Sequence, residues 1–539
     1  MKHKKNQAGS PNGCPPLYSS RFNYPLSFLP FQDQGASVLT PTTLHSAKIH
    51  FAVLVALFSL TTSSNLYADE PALQAGMGIM VGEVSTDSAL VQMRLTVAEE
   101  LIDGDLPGKE GYVRYTLAEQ KTPNQKLQTS PLMKAVEEYD YITRTRFQNL
   151  KPGTFYRIQA EYARLGQPFQ KGPHAEFQTL PGASSSEEVK FVVVTGMNYS
   201  KFHGMTHLEL EEGKTPSEPK KDPYTGPDKE LGYPALVAMQ KEQPNFFVGT
   251  GDNVYYDHPK EPSARTIAQM RQKWHEQFVQ PRYRDFFAHV PTYWEVDDHD
   301  YRDNDCDNTG DFHPTPAEGL RIMLEQLPYA EQGAENPKTY RTYRASKDLQ
   351  IWLVENRLFR SPNSMEDGPE KTIWGAEQKA WLKRTLLESD ASFKILISPT
   401  PMVGPDDAYK TDNHTNINGF QYERDEFFAW IKEHQLDQQG FYLICGDRHW
   451  QYHSVYPNGI EEMSCGALVD ANARIGRSPG DPKSTDPEAT LKQPYTQTEP
   501  SGGFLLVKAQ AATGDQGPTL TFEWRDEQGA LLNRDVNER

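Results

Sequence analysis

The feature that most constrains this chain is a short, mainly apolar run, Phe246–Thr250, that ends abruptly on polar residues. Gly251 and Asp252 follow it directly, and Tyr255 comes three residues after the carboxylate. Such a run is typical of a strand that is buried on both faces of a parallel sheet. In open α/β sheets the carboxyl ends of the strands meet at one edge, and ligands bind in the crevice there. The run therefore predicts a strand whose end contributes Asp252 and Tyr255 to a site.

Five further apolar runs between residues 188 and 450 repeat this arrangement. The polar segments that follow them are Asn198 after 191–194, Asp297 to Asp300 after 292–296, Arg357 and Arg360 after 348–354, Ser398 after 393–397, and Asp447 and His449 after 441–445. Apolar residues at helical spacing occur around 234–240, 267–278, 375–387 and 421–434. Alternation of strand and helix indicates an α/β domain, which we predict for residues 188–539.

An all-β pattern precedes this domain. Between residues 75 and 181, apolar residues alternate with polar ones, as expected of half-buried strands. The segment 150–156 resembles the approach to a tyrosine corner, in which the hydroxyl of Tyr156 would bond back to the chain. We predict a small β-sandwich of the fibronectin type III kind over 75–181, joined to the next domain by the linker 182–186.

Residues 1–68 do not have the pattern of a folded domain. Lys48 precedes the apolar stretch 51–60, which is too short to span a bilayer and is followed by small and polar residues. This is the pattern of a secretory signal peptide, so we expect a secreted or periplasmic protein that begins near Asp69. Stable insertion in a membrane is expected only if this leader stays uncleaved.

The formal net charge of −18 limits the partners. Nucleic acids are held by clustered Lys and Arg, so we do not expect one as a structural partner. A small phosphorylated substrate remains compatible with the acidic chain, because bound cations invert the local field. Oligomeric state does not follow from the sequence.

The polar segments together suit hydrolysis at two metal ions, which needs a bridging carboxylate, further oxygen and nitrogen ligands, and a proton donor. The predicted metal ligands are Asp252, Tyr255, Asp298, Asp447 and His449. Asp252 is the candidate bridge, and the phenol of Tyr255 suits a hard, trivalent cation such as ferric iron. His299 is predicted to protonate the leaving group. Arg357 is predicted to bind phosphate oxygens, with Asn198 and Arg360 as further substrate-binding candidates.

Each of these segments also has an ordinary interpretation. A Gly-Asp pair after a strand is most often a turn, and Asp297 to Asp300 could form a solvated acidic loop or a calcium clip. Arg357 and Arg360 could serve surface ion pairs. The joint occurrence of the segments, each at a strand end, favours the hydrolytic site.

From Phe191 onward the chain resembles the PhoD-type alkaline phosphatases, members of the calcineurin-like metallophosphatase superfamily. The matching motifs are Gly251-Asp252-Asn253-Val254-Tyr255, Asp297-Asp298-His299-Asp300 with Trp294 two places early, Tyr340 to Arg344 leading to Arg357 and Arg360, Gly375 to Leu382, and Gly446-Asp447-Arg448-His449-Trp450. A small β-sandwich in front of the catalytic domain is also the family's arrangement.

The resemblance implies a four-layer α/β/β/α sandwich with the metals at the joint edge of two facing sheets. It implies that Asp252, Tyr255 and His449 bind iron, that Asp298 and Asp447 bind a second divalent cation, which is calcium in the family, and that His299 donates the proton. Other divalent cations remain an alternative. The implied activity is hydrolysis of phosphate monoesters or diesters by metal-activated hydroxide.

The sequence departs from the family at Gly196, where the family often has a cysteine that binds iron. Glycine has no ligand atom, and the thioether of the adjacent Met197 is a poor partner for a hard cation. A second hypothesis is therefore a non-catalytic surface binding protein, in which a degenerate phosphatase-like domain only holds a phosphorylated or acidic ligand.

Overall fold

The computed structural model describes residues 72–218, 221–334 and 337–539. The predicted signal peptide, at 1–68, lies outside these residues. The strands, in chain order, are β1 Ile79–Gly82, β2 Ala89–Arg94, β3 Gly111–Glu119, β4 Gln128–Thr129, β5 Met133–Ala135, β6 Ile142–Phe147, β7 Phe155–Ala163, β8 Gln170–Gln178, β9 Val189–Val194, β10 Phe246–Thr250, β11 Thr292–Glu295, β12 Arg341–Arg344, β13 Leu349–Leu353, β14 Phe393–Ser398, β15 Phe441–Cys445, β16 Gln451–Val455, β17 Glu461–Cys465, β18 Lys492–Thr496, β19 Gly503–Gln510, β20 Thr519–Asp526 and β21 Leu531–Glu538.

The helices, again in chain order, are α1 Tyr199–His203, α2 Pro234–Lys241, α3 Ile267–Phe278, α4 Pro281–Phe287, α5 Pro316–Gln326, α6 Gly375–Glu388 and α7 Gln421–Glu433. The strands and helices predicted from the apolar runs between 188 and 450 are therefore present, with ends that differ by a few residues. No helix in the described part of the chain is long and apolar enough to cross a membrane.

Two mixed sheets form the centre of the molecule. The first has the order β21-β20-β19-β9-β10-β11-β1-β2-β6, and the second has the order β12-β13-β14-β15-β17-β16-β18. In the first sheet β9, β10 and β11 are parallel neighbours, and in the second β13, β14 and β15 are. The predicted site residues follow the carboxyl ends of five of these six strands, all except β14.

The alternation of side chains along these strands creates the layers. Val193 and Val248 of the first sheet share a buried cluster with Ile395 and Ile444 of the second, so the two sheets face each other. On the outer faces, one cluster joins the first sheet to α2, α3 and α4, and another joins the second sheet to α6 and α7. The four-layer α/β/β/α sandwich is confirmed.

The N-terminal strands form a further, all-β sandwich. β1, β2 and β6 share a buried cluster with β3 and β7, which belong to a five-stranded sheet with β4, β5 and β8. The tyrosine corner is present, because the backbone N–H of Lys151 donates to the hydroxyl of Tyr156 at 2.9 Å. β1 also pairs in parallel with β11, Gly82 opposite Thr292, so one layer of this sandwich continues the large sheet. The division into domains at 75–181 and 188–539 stays a prediction, because residues 72 onward belong to one compact unit.

Candidate metal centre

The ends of β10, β11 and β15 approach each other so closely that only glycine fits at two positions. Gly251 has φ +85°, and a Cβ there would lie 2.4 Å from the Cβ of Asp297, beyond the end of β11. A Cβ on Gly446, after β15, would lie 2.4 Å from the Oγ1 of Thr250. Asp252 and Asp447, the residues that follow these two glycines, both have positive φ. Such strained backbone concentrates at functional sites, where the surrounding structure enforces it.

Three predicted ligands converge on one point. The Oδ2 of Asp252 accepts a hydrogen bond from the hydroxyl of Tyr255 at 2.8 Å and lies 3.0 Å from the Nε2 of His449. The Tyr255 hydroxyl and the His449 Nε2 are 3.2 Å apart. The other oxygen of Asp252, Oδ1, is buried and has no hydrogen-bond partner. Since buried carboxylate oxygens are costly without a partner, this atom suits a cation.

Asp298 and His299 complete the group. One ligand atom from each of Asp252, Asp298 and His299 lies within 4.8 Å of the other two. The Nδ1 of His299 lies 2.6 Å from the Oδ1 of Asp257, which orients the ring. Burial opposes a charged imidazole, but Asp257, Asp298 and Asp252 together hold the pKa of His299 well above its usual value. A protonated His299 can donate a proton, so the predicted donor has the required chemistry, although its role stays a prediction.

The segment after β11 divides its residues among different partners. Asp297 binds Arg357, and the Oδ1 of Asp300 accepts from the backbone N–H of Asp297 at 2.7 Å. The Oδ2 of Asp300 accepts from Asn253, beyond the end of β10. Asp297 and Asp300 therefore hold the loop in shape, and Asp298 and His299 are left to face Asp252.

Asp447 lies at the same edge but has another partner. Its Oδ2 accepts a hydrogen bond from the guanidinium of Arg448, which also binds Asp406. Among the described residues, it does not belong to the group of ligand atoms formed by Asp252, Asp298 and His299. Metal binding by Asp447 stays a prediction, and it would compete with Arg448.

The predicted phosphate-binding arginines are buried. Arg357 is completely buried, donates to Asp297 from Nε at 2.7 Å and to the carbonyl of Cys306 from Nη1 at 2.9 Å, and has Nη2 3.9 Å from Asp298. Arg360 donates to the carbonyls of Cys306 and Asp412. These contacts make Arg357 a residue that positions Asp297, and phosphate binding by either arginine stays a prediction.

Asn198 is also buried, at the beginning of α1. Its Oδ1 accepts from the backbone N–H of Lys201 at 3.0 Å and from the Oγ of Ser200 at 2.9 Å, so it caps the helix. Its Nδ2 is buried without a hydrogen-bond partner. The cap accounts for the carbonyl oxygen of the side chain, and substrate binding by the amide nitrogen stays a prediction.

Asn472 is a site residue that the sequence did not reveal. Its Nδ2 donates to the Tyr255 hydroxyl at 2.9 Å and to the carbonyl of Gly196 at 3.0 Å, and its Oδ1 accepts from the Nζ of Lys201 at 2.5 Å. A Cβ on Gly196 would lie 3.1 Å from this Nδ2 and 3.0 Å from the Cβ of Ala467. Asn472 and Ala467 thus occupy the space that a side chain at position 196 would need. Asn472 belongs to the short 3-10 turn Asp470–Asn472, which carries no catalytic motif.

Asp412 is a second missed candidate. It is buried, neither of its carboxylate oxygens has a hydrogen-bond partner, and Oδ2 lies 4.0 Å from the Nη2 of Arg357. Burial, with Asp305 and Asp447 nearby, raises its pKa to about 7 in spite of Lys410. A cation would stabilise this carboxylate. The only sequence signal is a lone Asp in the segment between β14 and α7, which belongs to none of the motifs that match the family.

Comparisons with known proteins identify the family and the fold of the chain. Residues 224–495, slightly more than half of the chain, match the family model of the PhoD-like phosphatases. A solved structure of PhoD is similar at a TM-score of 0.64 and 15% identity, over 86% of this chain and 89% of that chain. The purple acid phosphatase PPD1 from seeds of yellow lupin (Lupinus luteus) is similar at a TM-score of 0.54 and 12% identity, over 86% and 74%. At these identities the two structures show the fold alone. A search of curated proteins found no match.

Proposed function

The chain belongs to the PhoD-like phosphatase family, and on that basis we propose that it hydrolyses phosphate esters at a metal centre built around Asp252. One observation carries the proposal: Asp252, Tyr255, His449, Asp298 and His299 converge at the joint edge of the two sheets. If these side chains had pointed to separate regions of the molecule, the ordinary interpretations of their segments, such as a turn or a solvated acidic loop, would have been favoured.

The residues present fit a pair of cations. Asp252, Tyr255 and His449 would hold the first ion, which we propose to be ferric iron because two of the three donors are hard oxygens. Asp298, with Asp447, would hold the second, proposed to be calcium, and Asp412 is an additional oxygen donor for it. Burial and Asp252 raise the pKa of Tyr255 well above its usual value, and a bound cation acts in the opposite direction. When bound, such ions supply Lewis-acid activation of water and neutralise charge on the phosphoryl oxygens.

The protein groups supply the proton and the orientation. His299 and His449 keep 14% and 15% of their side chains exposed, whereas Asp252 and Asp298 are buried, so a substrate reaches the centre from the side of the two histidines. We propose that the imidazolium of His299 donates its proton to the oxygen of the leaving alcohol. Asp257 holds the ring for this transfer from the other nitrogen. The substrate that we propose is a small phosphorylated molecule.

The first experiment tests catalysis. We expect turnover of p-nitrophenyl phosphate, of bis(p-nitrophenyl) phosphate, or of both once iron and calcium are added back to the purified protein. Asp252→Asn should lower kcat/KM by about 100-fold, because it removes the charge of a carboxylate that would hold the metal centre. Asp515→Asn, an exposed residue between β19 and β20, is the matched control and should leave the rate unchanged. Absence of turnover with every metal tested would support the non-catalytic binding protein instead.

The second experiment tests the metal ligand Tyr255. A phenolate bound to ferric iron absorbs visible light by charge transfer, so the iron-loaded protein should be coloured. Tyr255→Phe should lose the absorption band and retain its cooperative unfolding, because the phenol ring still fills the same space. Tyr409→Phe, at an exposed tyrosine, is the control. An unchanged spectrum in Tyr255→Phe would exclude this tyrosine as an iron ligand.

Export is a separate part of the proposal. It depends on the apolar stretch 51–60 and the small residues after it, outside the described residues. N-terminal sequencing of the protein from the periplasm or the medium should give a chain that begins near Asp69. Protein that stays in the cytoplasm with residues 1–68 attached would contradict export.

A further inference from the structure

A second group of carboxylates lines a cavity outside the metal centre. The cavity has a volume of about 240 Å³ and lies between Phe202, Tyr224, the 3-10 turn Asp470–Asn472 and the turn after β20 that contains Glu527. The polar side chains among its described lining residues carry oxygen donors, and neither a histidine nor a cysteine is among these residues. None of the residues that converge on Asp252 lines it.

Glu527 is the unusual residue of this cavity. The residue is 3% exposed, and its Oε1 is buried without a hydrogen-bond partner. Burial, and then the carboxylate of Asp470, raise the pKa of Glu527 to about 8. A buried carboxyl group with an unpartnered oxygen beside a second carboxylate needs either a shared proton or a cation.

The surrounding charges are mostly negative. Asp222 also lines the cavity, and Asp526 precedes Glu527 in the turn. Lys221 is a cation near the cavity among the described residues: its Nζ donates to the carbonyl of Ala473, and burial lowers its pKa although Asp470 acts in the opposite direction. The four carboxyl groups of Glu527, Asp470, Asp222 and Asp526 outnumber this lysine, whose Nζ is already directed to a carbonyl.

We propose that this cavity binds a divalent cation of the calcium type, held by the carboxylates of Glu527 and Asp470. Hard cations of this kind take carboxylate and carbonyl oxygens and keep some water, which a cavity of this volume and composition provides. The absence of nitrogen and sulfur donors from its described wall disfavours zinc or copper. The proposal concerns cation binding and holds whether or not the chain is a phosphatase.

The position of the cavity connects it to the metal centre. Asp470 begins the same 3-10 turn that ends at Asn472, and Asn472 donates to the hydroxyl of Tyr255. Asp470 is also tied to the chain after β18, because its Oδ1 accepts from the backbone N–H of Gly502 at 2.6 Å. A cation between Asp470 and Glu527 would fix this turn, and with it Asn472, against the hairpin of β20 and β21.

The test counts calcium ions on the whole protein. In equilibrium dialysis, Glu527→Gln should bind one calcium per chain fewer than the wild type, and Glu499→Gln, at an exposed glutamate, should bind the same number. Glutamine has the size of Glu527, and its side-chain amide can donate a hydrogen bond to Asp470 in place of a shared proton. The substitution therefore removes only the charge of Glu527. Added calcium should therefore raise the Tm of the wild type by more than that of Glu527→Gln.

A second measurement needs no variant. Crystals of the wild-type protein soaked in terbium or manganese should show an anomalous peak between Glu527 and Asp470, separate from the peaks around Asp252. Equal calcium stoichiometry in the wild type and Glu527→Gln, or the absence of that peak at saturating metal, would overturn the proposal. Either result would mean that the two carboxyl groups only share a proton.

Discussion

At the scale of single residues, the positions of the candidate metal ligands depend on other side chains that bind the loops around them. Arg357 is the clearest case, because its guanidinium is completely buried between Asp297 and the carbonyl of Cys306. Asp297 directly precedes the candidate ligand Asp298. By binding Asp297, Arg357 therefore fixes the loop that carries Asp298. Partners that orient metal ligands typically change affinity or activity by about 10–100-fold when they are replaced.

We therefore expect Arg357→Lys to lower kcat by about 10–100-fold and to leave KM for p-nitrophenyl phosphate nearly unchanged. Lysine keeps the charge but cannot bind Asp297 and Cys306 at the same time with a planar fork. Steady-state kinetics of the metal-loaded protein measure the two constants separately. Arg384→Lys, at an exposed arginine of α6, is the control. A rise in KM with unchanged kcat would instead support direct phosphate binding by Arg357.

At the scale of secondary-structure elements, one buried carboxylate joins three of them. Asp140, before β6, accepts from Arg94 of β2 at 2.7 Å, lies 2.7 Å from the Nε2 of His275 of α3, and accepts from Gln326 of α5 at 2.8 Å. Burial opposes its charge, but His275 and Arg94 hold the pKa of Asp140 well below its usual value. The carboxylate thus connects the N-terminal sandwich to the helices that cover the large sheet.

A group whose pKa is lower in the folded than in the unfolded state contributes stability above its unfolded pKa, about 3.9 for Asp, and loses it as the pH falls. Asp140→Asn should therefore lower the free energy of unfolding by about 3 kcal/mol at pH 7, and this difference from the wild type should shrink towards pH 3. Asparagine suits the positive φ of this position, so backbone strain does not contribute.

Urea denaturation of wild type and Asp140→Asn at pH 7, 5 and 3 measures this difference. Asp515→Asn, at an exposed aspartate between β19 and β20, should leave the midpoint unchanged. A difference that stays constant with pH would show that the charge of Asp140 does not contribute, and that only its shape matters.

At the scale of the whole molecule, the N-terminal sandwich and the large sheet share hydrogen bonds. β1 pairs with β11, and Glu83 binds Arg341 beside it at 2.8 Å. Arg144 of β6 donates to the carbonyls of Leu324 and Glu325, both at 2.8 Å. Removal of the sandwich would expose the edge of β11 and leave these groups without partners.

A fragment of residues 188–539 should therefore fail to fold cooperatively, whereas residues 69–539 should unfold in one transition. Circular dichroism during urea titration distinguishes the two outcomes, with the near-ultraviolet signal reporting the buried tryptophans. Cooperative unfolding of the shorter fragment, with metal binding retained, would show that the predicted boundary between 181 and 188 separates independent domains.

The apolar pattern of the sequence determined the strands, their alternation with helices and the residues at the strand ends, and the four layers were implied by the family resemblance. Continuous apolar runs are typical of strands buried on both faces, and parallel strands bring their carboxyl ends to one edge, so Asp252 and Asp298 were expected to lie near each other. His449 follows a strand of the other sheet, and its approach to Asp252 depends on how the two sheets face each other. Local pattern also identified the tyrosine corner at Tyr156, because its partner is five residues away.

Only the tertiary structure decided what these residues contact. Asn472 reaches Tyr255 from a position 217 residues later in the chain, and Arg357 reaches Asp297 from 60 residues later. No local periodicity encodes such pairs, because they depend on how the loops pack over the sheet edge. The same reason explains why the guanidinium of Arg357, which was expected to bind phosphate, is buried against the carboxylate of Asp297. It also explains why the side-chain amide of Asn472 occupies the space beside Gly196.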